Sequence, residues 1–160
     1  MTREIESRKR YGLRRLFNKI LQPIAKSSLL SGYMRSRVQK LRGVNFDDVS
    51  TVFLGEDIII DGICPHNVTI KNGCQIGAGT KIVTHYYDNE KLSQNKDYHY
   101  RFYQGQVVIE EDVFIGFNCV IAKPVTIGKG SVLGANTVIT KDIPENSVIV
   151  APESISLKKK

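Results

Sequence analysis

IEEDVFIGFNCVIAKPVTIGKGSVLGANTVIT, residues 109–140, carries a repeat of six. Ile109, Ile115, Ile121, Ile127, Leu133 and Ile139 stand on one grid, and Val52, Ile58, Cys64, Ile70, Ile76 and Ile82 form a second run with the same spacing. A helix face recurs about every 3.6 residues and an alternating strand every two, so a period of six signals a short strand plus a corner. The residue after the aliphatic one is Gly at 77, 116, 128 and 134 and Ala at 122, which suits a corner with no room for a bulky Cβ. Four places on, the residues are small or β-branched: Val68, Cys74, Thr80, Val113, Cys119, Val125, Ser131 and Thr137. Each hexad is expected to bury one large and one small side chain, stacked like on like from coil to coil. The reading is a mainly β chain of short strands and corners stacked in coils.

Composition fits a single soluble domain, at 160 residues, 41% hydrophobic and 24% charged. Cys64 falls on the aliphatic grid and Cys74 and Cys119 on the small-residue grid, so all three are expected to be packed thiols in a reducing compartment. No run reaches the ~18 apolar residues of a membrane span. Arg8, Lys9 and Arg10 imitate the start of an export signal, but Lys19, Pro23 and Lys26 interrupt any apolar core behind them. A cytoplasmic protein is expected.

Charge is uneven. Residues 1–45 hold 12 Lys/Arg and 2 Glu, a net of +10, while the remainder holds 11 Lys/Arg and 14 Asp/Glu, a net of −3. The arm, residues 1–45, is expected to be helical over 3–30, with Tyr11, Leu13, Leu16, Phe17, Ile20, Leu21 and Ile24 on one side and a kink or stop at Pro23. A second helix is expected from Tyr33 to Leu41, closed by Gly43. Two roles suit the arm: its apolar face can cover the end of the β-helix, or it can rest on an anionic membrane at the inner leaflet. No aromatic stacking platform accompanies the charge, so nucleic acid is not expected as a partner.

The β-helix domain, residues 46–151, is interrupted by a loop at 83–108, where the grid skips 27 residues from Ile82 to Ile109. Five of the seven tyrosines lie there, at 86, 87, 98, 100 and 103, and aromatic content argues for a packed, ligand-contacting excursion. His85 stands where it leaves the coil, anchored by rigid structure on one side. Imidazole titrates close to neutral pH, so His85 is the candidate general base. Tyr86 (a ring for stacking), Asp88 (to orient the imidazole or bind a hydroxyl), His99 and Arg101 are candidates for acceptor binding, and His66 is read as structural. After Ile139 the stretch TKDIPENS is expected to leave the β-helix, with a basic tail over 152–160.

These hexads, above all IGKGSVLGANTVITKDIPENSVIV from Ile127 to Val150, resemble the hexapeptide-repeat acyltransferases, and within them the bacterial polysaccharide O-acetyltransferases. The resemblance implies a left-handed parallel β-helix with three hexads per coil, hence about four coils, a homotrimer with active sites between subunits, and acetyl-CoA as donor. It implies that one histidine, matched by His85 after Thr84, deprotonates an acceptor that attacks the thioester directly. It further implies donor contacts at Gly116, Phe117, Ala135, Thr140 and Lys141, the last two within Thr140-Lys141-Asp142-Ile143-Pro144. Two departures stand out: Phe114 occupies the family's usual Trp position, and Val150-Ala151-Pro152 replaces the usual Gly-Asn-Pro ending.

The expected function is O-acetylation of a sugar hydroxyl in a surface polysaccharide or its precursor. N-acetylation of an amino sugar and a non-catalytic trimeric scaffold are the alternatives. A zinc hydratase on the same fold needs three converging histidines, two of them close in sequence, whereas His66, His85 and His99 are 19 and 14 residues apart, so no metal is expected.

Overall fold

The computed structural model describes residues 5–8, 12–87 and 101–152, with backbone alone at 5–8, 15, 101 and 102. A strand, β1 (Ile5–Arg8), precedes two helices, α1 (Leu13–Lys26) and α2 (Gly32–Arg42). The first coil follows as β2 (Asn45–Phe46), β3 (Phe53–Leu54) and β4 (Ile59–Ile60), and the second as β5 (Val68–Ile70), β6 (Gln75–Ile76) and β7 (Lys81–Ile82). β8 (His85–Tyr86) and β9 (Arg101–Gln104) flank the excursion. The third coil is β10 (Val107–Ile109), β11 (Phe114–Ile115) and β12 (Val120–Ile121), and the fourth β13 (Thr126–Ile127), β14 (Val132–Leu133) and β15 (Val138–Ile139). β16 (Val148–Ile149) belongs to a partial fifth.

These strands stack in parallel into three walls of a left-handed β-helix: β2-β5-β10-β13, β3-β6-β11-β14-β16 and β4-β7-β12-β15. Register fixes the columns. Phe46, Ile70, Ile109, Ile127 and Ile143 line the first wall, Leu54, Ile76, Ile115, Leu133 and Ile149 the second, and Ile60, Ile82, Ile121 and Ile139 the third. Residues two places earlier, such as Val68, Cys74, Thr80, Val113 and Cys119, are buried beside them, and no thiol is in a disulfide. At the corners, Asp57, Asn118 and Asn136 adopt positive φ, a conformation these side chains tolerate better than most.

Three expectations about the repeat are corrected. Leu54 and Ile60, and not Val52 and Ile58, pair with Ile76 and Ile82, so the two grid residues fall on the inner small-residue columns. The cause is an enlarged corner between Ile60 and Ile70, ten residues where six is the rule; it includes a 3-10 turn, Pro65–Asn67, and holds Cys64 off the column. TKDIPENS does not leave the helix either: Ile143 bridges to Ile127 and β16 pairs with β14, so the coil continues two residues short. Residues 83–108 are also not purely loop, because β8 and β9 pair antiparallel and β1 adds to β9.

The arm differs from its sequence reading more sharply. Residues 5–8 are strand, and α1 runs through Pro23 to Lys26. α2 ends on Gly43 at φ +110°, as the glycine predicts. The end of the β-helix is covered by polar groups and not by an apolar face. Along the paired strands, hydrogen bonds between coils run one way, with Phe53 N donating to Cys74 O, Gln75 N to Val113 O and Phe114 N to Ser131 O, while corner amides such as Asp112 N and Asn118 N donate back to Asn72 O and Ala78 O. The first coil therefore presents carbonyls that no earlier coil can meet. α2 meets them: Ser36 Oγ donates to Val52 O, Arg35 Nε to Leu54 O, and Arg42 to Ile60 O through both terminal nitrogens. Burial lowers the pKa of Arg42 to about 10 against the opposing pull of Asp61, which leaves the guanidinium charged at neutral pH.

Ile115 is fully buried between Ile76 and Leu133, so Ile115→Ala should cost roughly 2–5 kcal/mol in denaturant unfolding. Val138 projects outward from the third wall, and Val138→Ala should change stability by less than about 0.5 kcal/mol.

Candidate active site

The enlarged corner after β4 and the excursion after β7 leave the column at the same edge, between the third wall and the first. One residue joins them. Asp61 is buried, and each of its oxygens is engaged. Oδ1 accepts from Ile63 N at 2.7 Å and Cys64 N at 2.9 Å, closing the corner. Oδ2 accepts from Thr84 N at 2.9 Å and Thr84 Oγ1 at 2.6 Å, and lies 2.7 Å from His85 Nδ1. Burial alone would raise the pKa of this carboxyl. The hydrogen bonds from His85, Thr84 and Cys64 outweigh that and hold it well below the usual carboxylate range.

An ionised carboxylate only accepts, so the proton in the contact belongs to Nδ1 of His85 and the lone pair of the neutral ring to Nε2. A carboxylate that fixes the tautomer and stabilises the imidazolium is the arrangement of a general base. The nearby Cys64 offers no competing nucleophile: burial, reinforced by the charge of Asp61, pushes its thiol up to about 11, and Sγ lies 3.0 Å from Gln104 Oε1.

The small sheet β8-β9-β1 sets the surroundings. Its register aligns His85 with Gln104 and Ile5, and Tyr86 with Tyr103 and Glu6. Alternation along β8 puts Tyr86 on the side away from His85, where its ring stacks on Tyr103 at 5.7 Å and Lys123 Nζ lies 5.5 Å from its centroid. Asp88 and His99 lie outside the described residues, and Arg101 is placed only as the first residue of β9. Among the described residues no group of His, Cys, Asp and Glu could hold a metal ion.

The five expected donor contacts separate into two places. Gly116, Phe117 and Ala135 lie together at the edge between the second and third walls: Asn136 N donates to Phe117 O, and a Cβ on Gly116 would come within 2.6 Å of Ala135 N. Beside them a groove of about 460 Å³ is lined by Phe53, Gly77, Ala78, Phe114 and Phe117, with no contribution from His85. Thr140 and Lys141 are exposed on the same edge as His85, two coils further along, which is about 10 Å along the axis.

Asp61 escaped the sequence reading. It follows Ile60, which the two-residue shift hid from the grid, and the available signal was the surplus of residues before Ile70 with Asp-Gly and Pro inside it.

Residues 106–141 match the sequence model of the hexapeptide repeat of succinyl-transferase. A bifunctional protein GlmU from Carboxydothermus hydrogenoformans is 30% identical over 127 residues, 74% of this chain and 24% of that protein. Another from Nitratidesulfovibrio vulgaris is 42% identical over 79 residues, 49% of this chain and 14% of that protein. The chain thus spans a quarter or less of those relatives' length. A hexapeptide-repeat-containing acetyltransferase from Vibrio cholerae superposes with a TM-score of 0.63 at 25% identity, covering 86% of this chain and 85% of the other. A galactoside acetyltransferase in complex with coenzyme A gives 0.58 at 25%, covering 86% and 76%. Repeat, columns and superposition agree: the chain carries the hexapeptide repeat and shares the fold of the hexapeptide-repeat acetyltransferases.

Proposed function

We propose that the protein transfers an acetyl group from acetyl-CoA to a sugar hydroxyl of a surface polysaccharide or its precursor, with His85 as general base and Asp61 as its positioning residue. The observation that carries this reading is the 2.7 Å contact between His85 Nδ1 and a buried carboxylate. Nε2 takes the acceptor proton as the acceptor oxygen attacks the thioester carbonyl. The tetrahedral oxyanion collapses, the C–S bond breaks, and the imidazolium returns its proton to the departing sulfur. Asp61 stays ionised throughout, keeps the lone pair on Nε2, where the acceptor proton must go, and stabilises the imidazolium.

The donor reading is supported by the coenzyme A bound to the galactoside acetyltransferase that shares this fold. Within one chain the Gly116–Ala135 edge and the His85 edge lie on different corners of the prism. A trimer that lays the first edge of one copy against the second edge of its neighbour brings both to one cleft. Thr140 and Lys141 then reach the donor from the base's own edge, where Lys141 supplies a cation for nucleotide phosphates. Excursion residues Asp88, His99 and Arg101 are assigned to the acceptor, with Tyr86 completing the wall behind His85.

Incubation with acetyl-CoA and a panel of glycans, amino sugars and lipid-linked oligosaccharides tests the reading through release of free thiol. Acetylation at oxygen is expected; acetylation only at an amine, or no thiol release with any acceptor, would contradict it. His85→Ala should lower turnover by about 10²-fold or more, and Asp61→Asn by about 10²-fold, because the amide no longer enforces the productive tautomer.

Asp61 also ties stability to pH. Its folded pKa is depressed, so its contribution is present above the unfolded value of about 4 and lost as pH falls below that. Thermal unfolding of the wild type should drop on acidification through this range. The drop should be smaller in Asp61→Asn, which is expected to be less stable than wild type at neutral pH.

A further inference from the structure

α1 is turned outward. Leu13, Leu16, Phe17, Ile20 and Ile24 are 87%, 57%, 43%, 59% and 45% exposed, while Asn18 and Ala25 on the opposite side are buried. At 3.6 residues per turn, the five apolar residues span an arc of about 100°, with Arg14 and Lys19 each about 60° beyond its borders. Arg14 is drawn across the edge of this stripe. Its guanidinium lies 5.6 Å from the Phe17 ring centroid and donates to the carbonyl of Leu41, another exposed apolar residue. The reason for this orientation lies in the cap: α2 inserts polar side chains under the first coil, and α1 packs its own polar side behind them, with Arg42 Nε donating to Asn18 O at 3.4 Å. The sequence fits the outward stripe, since no acidic residue occurs between Glu6 and Asp47 while eleven Lys/Arg do.

We infer that the outer face of α1 docks on an anionic phospholipid bilayer, lying flat in the headgroup region. The surface that covers this stripe must be apolar at its centre and negative at its rims, and an anionic leaflet has that profile. Pairing with α1 of a second copy would set cationic borders against cationic borders, since an isologous contact matches a patch with itself. The helix spans about 21 Å, and no described helix is long and apolar enough to cross a membrane, so the attachment is peripheral. The inner side of α1 lines a cleft with Gly62 and Ile63, immediately after Asp61, so the docked helix would hold the His85 edge near the bilayer.

The chain has no tryptophan, so the F17W variant carries a single reporter on the docking face. Its emission should shift to the blue on addition of phosphatidylcholine vesicles containing phosphatidylglycerol, far less with phosphatidylcholine alone, and less again as salt rises. In co-sedimentation of the full chain, the exposed double change Leu16→Ser with Ile20→Ser should weaken vesicle binding by at least about tenfold, with unchanged circular dichroism. Wild-type protein that stays in the supernatant with phosphatidylglycerol vesicles would overturn the inference. So would an F17W emission that is blue-shifted without vesicles and returns to the red on dilution, because the stripe would then be a contact between copies.

Discussion

Along the paired strands of this molecule hydrogen bonds run in one direction, each coil donating N–H groups to the carbonyls of the next, while corner amides donate back. A parallel ladder of this kind holds equivalent backbone positions directly above one another, so like side chains pile on like, and the isoleucine columns follow. It also leaves the first coil with unmet carbonyls, each costly to bury without a donor. α2 answers with Arg35, Ser36 and Arg42, donors long enough or close enough to reach Val52, Leu54 and Ile60. The helix that caps the prism is therefore polar on its inner side. Its neighbour α1 is left with its apolar stripe on the outside.

The same ladder positions the chemistry. Coils of regular length place nothing reactive at an edge, because a six-residue unit has only strand and corner. Where the path departs from six, side chains are freed: ten residues separate Ile60 from Ile70, and the long excursion follows Ile82 one coil later on the same edge. Asp61 from the first departure and Thr84 and His85 from the second meet there because Ile60 and Ile82 are register partners. Five donors on one buried carboxylate keep it charged despite its burial, and that charge selects the imidazole tautomer.

Legibility followed the period. The stacked columns, the corner glycines and the position of His85 could be read from spacing, since a repeat of six leaves a direct mark on composition, while three walls to a coil came from the family resemblance. Breaks in the period could not be placed so well. Val52 and Ile58 are aliphatic on either register, so a two-residue slip in the first coil left the grid intact and concealed Leu54, Ile60 and with them Asp61. Ile143 and Ile149 were missed by a slip of the same size in the other direction. Amphipathic spacing found the stripe on α1 but gave no sign of which way it faced. That depended on a demand from the carbonyls of the coil that follows both helices.

The state of the His85 ring connects these levels, because fold, carboxylate and proposed chemistry all converge on which nitrogen holds the proton. Nitrogen NMR of the isotope-labelled protein reads this directly. The neutral ring is expected to be protonated at Nδ1, with a resonance that changes when Asp61 is replaced by Asn. A neutral ring protonated at Nε2, or one indifferent to that replacement, would contradict that expectation.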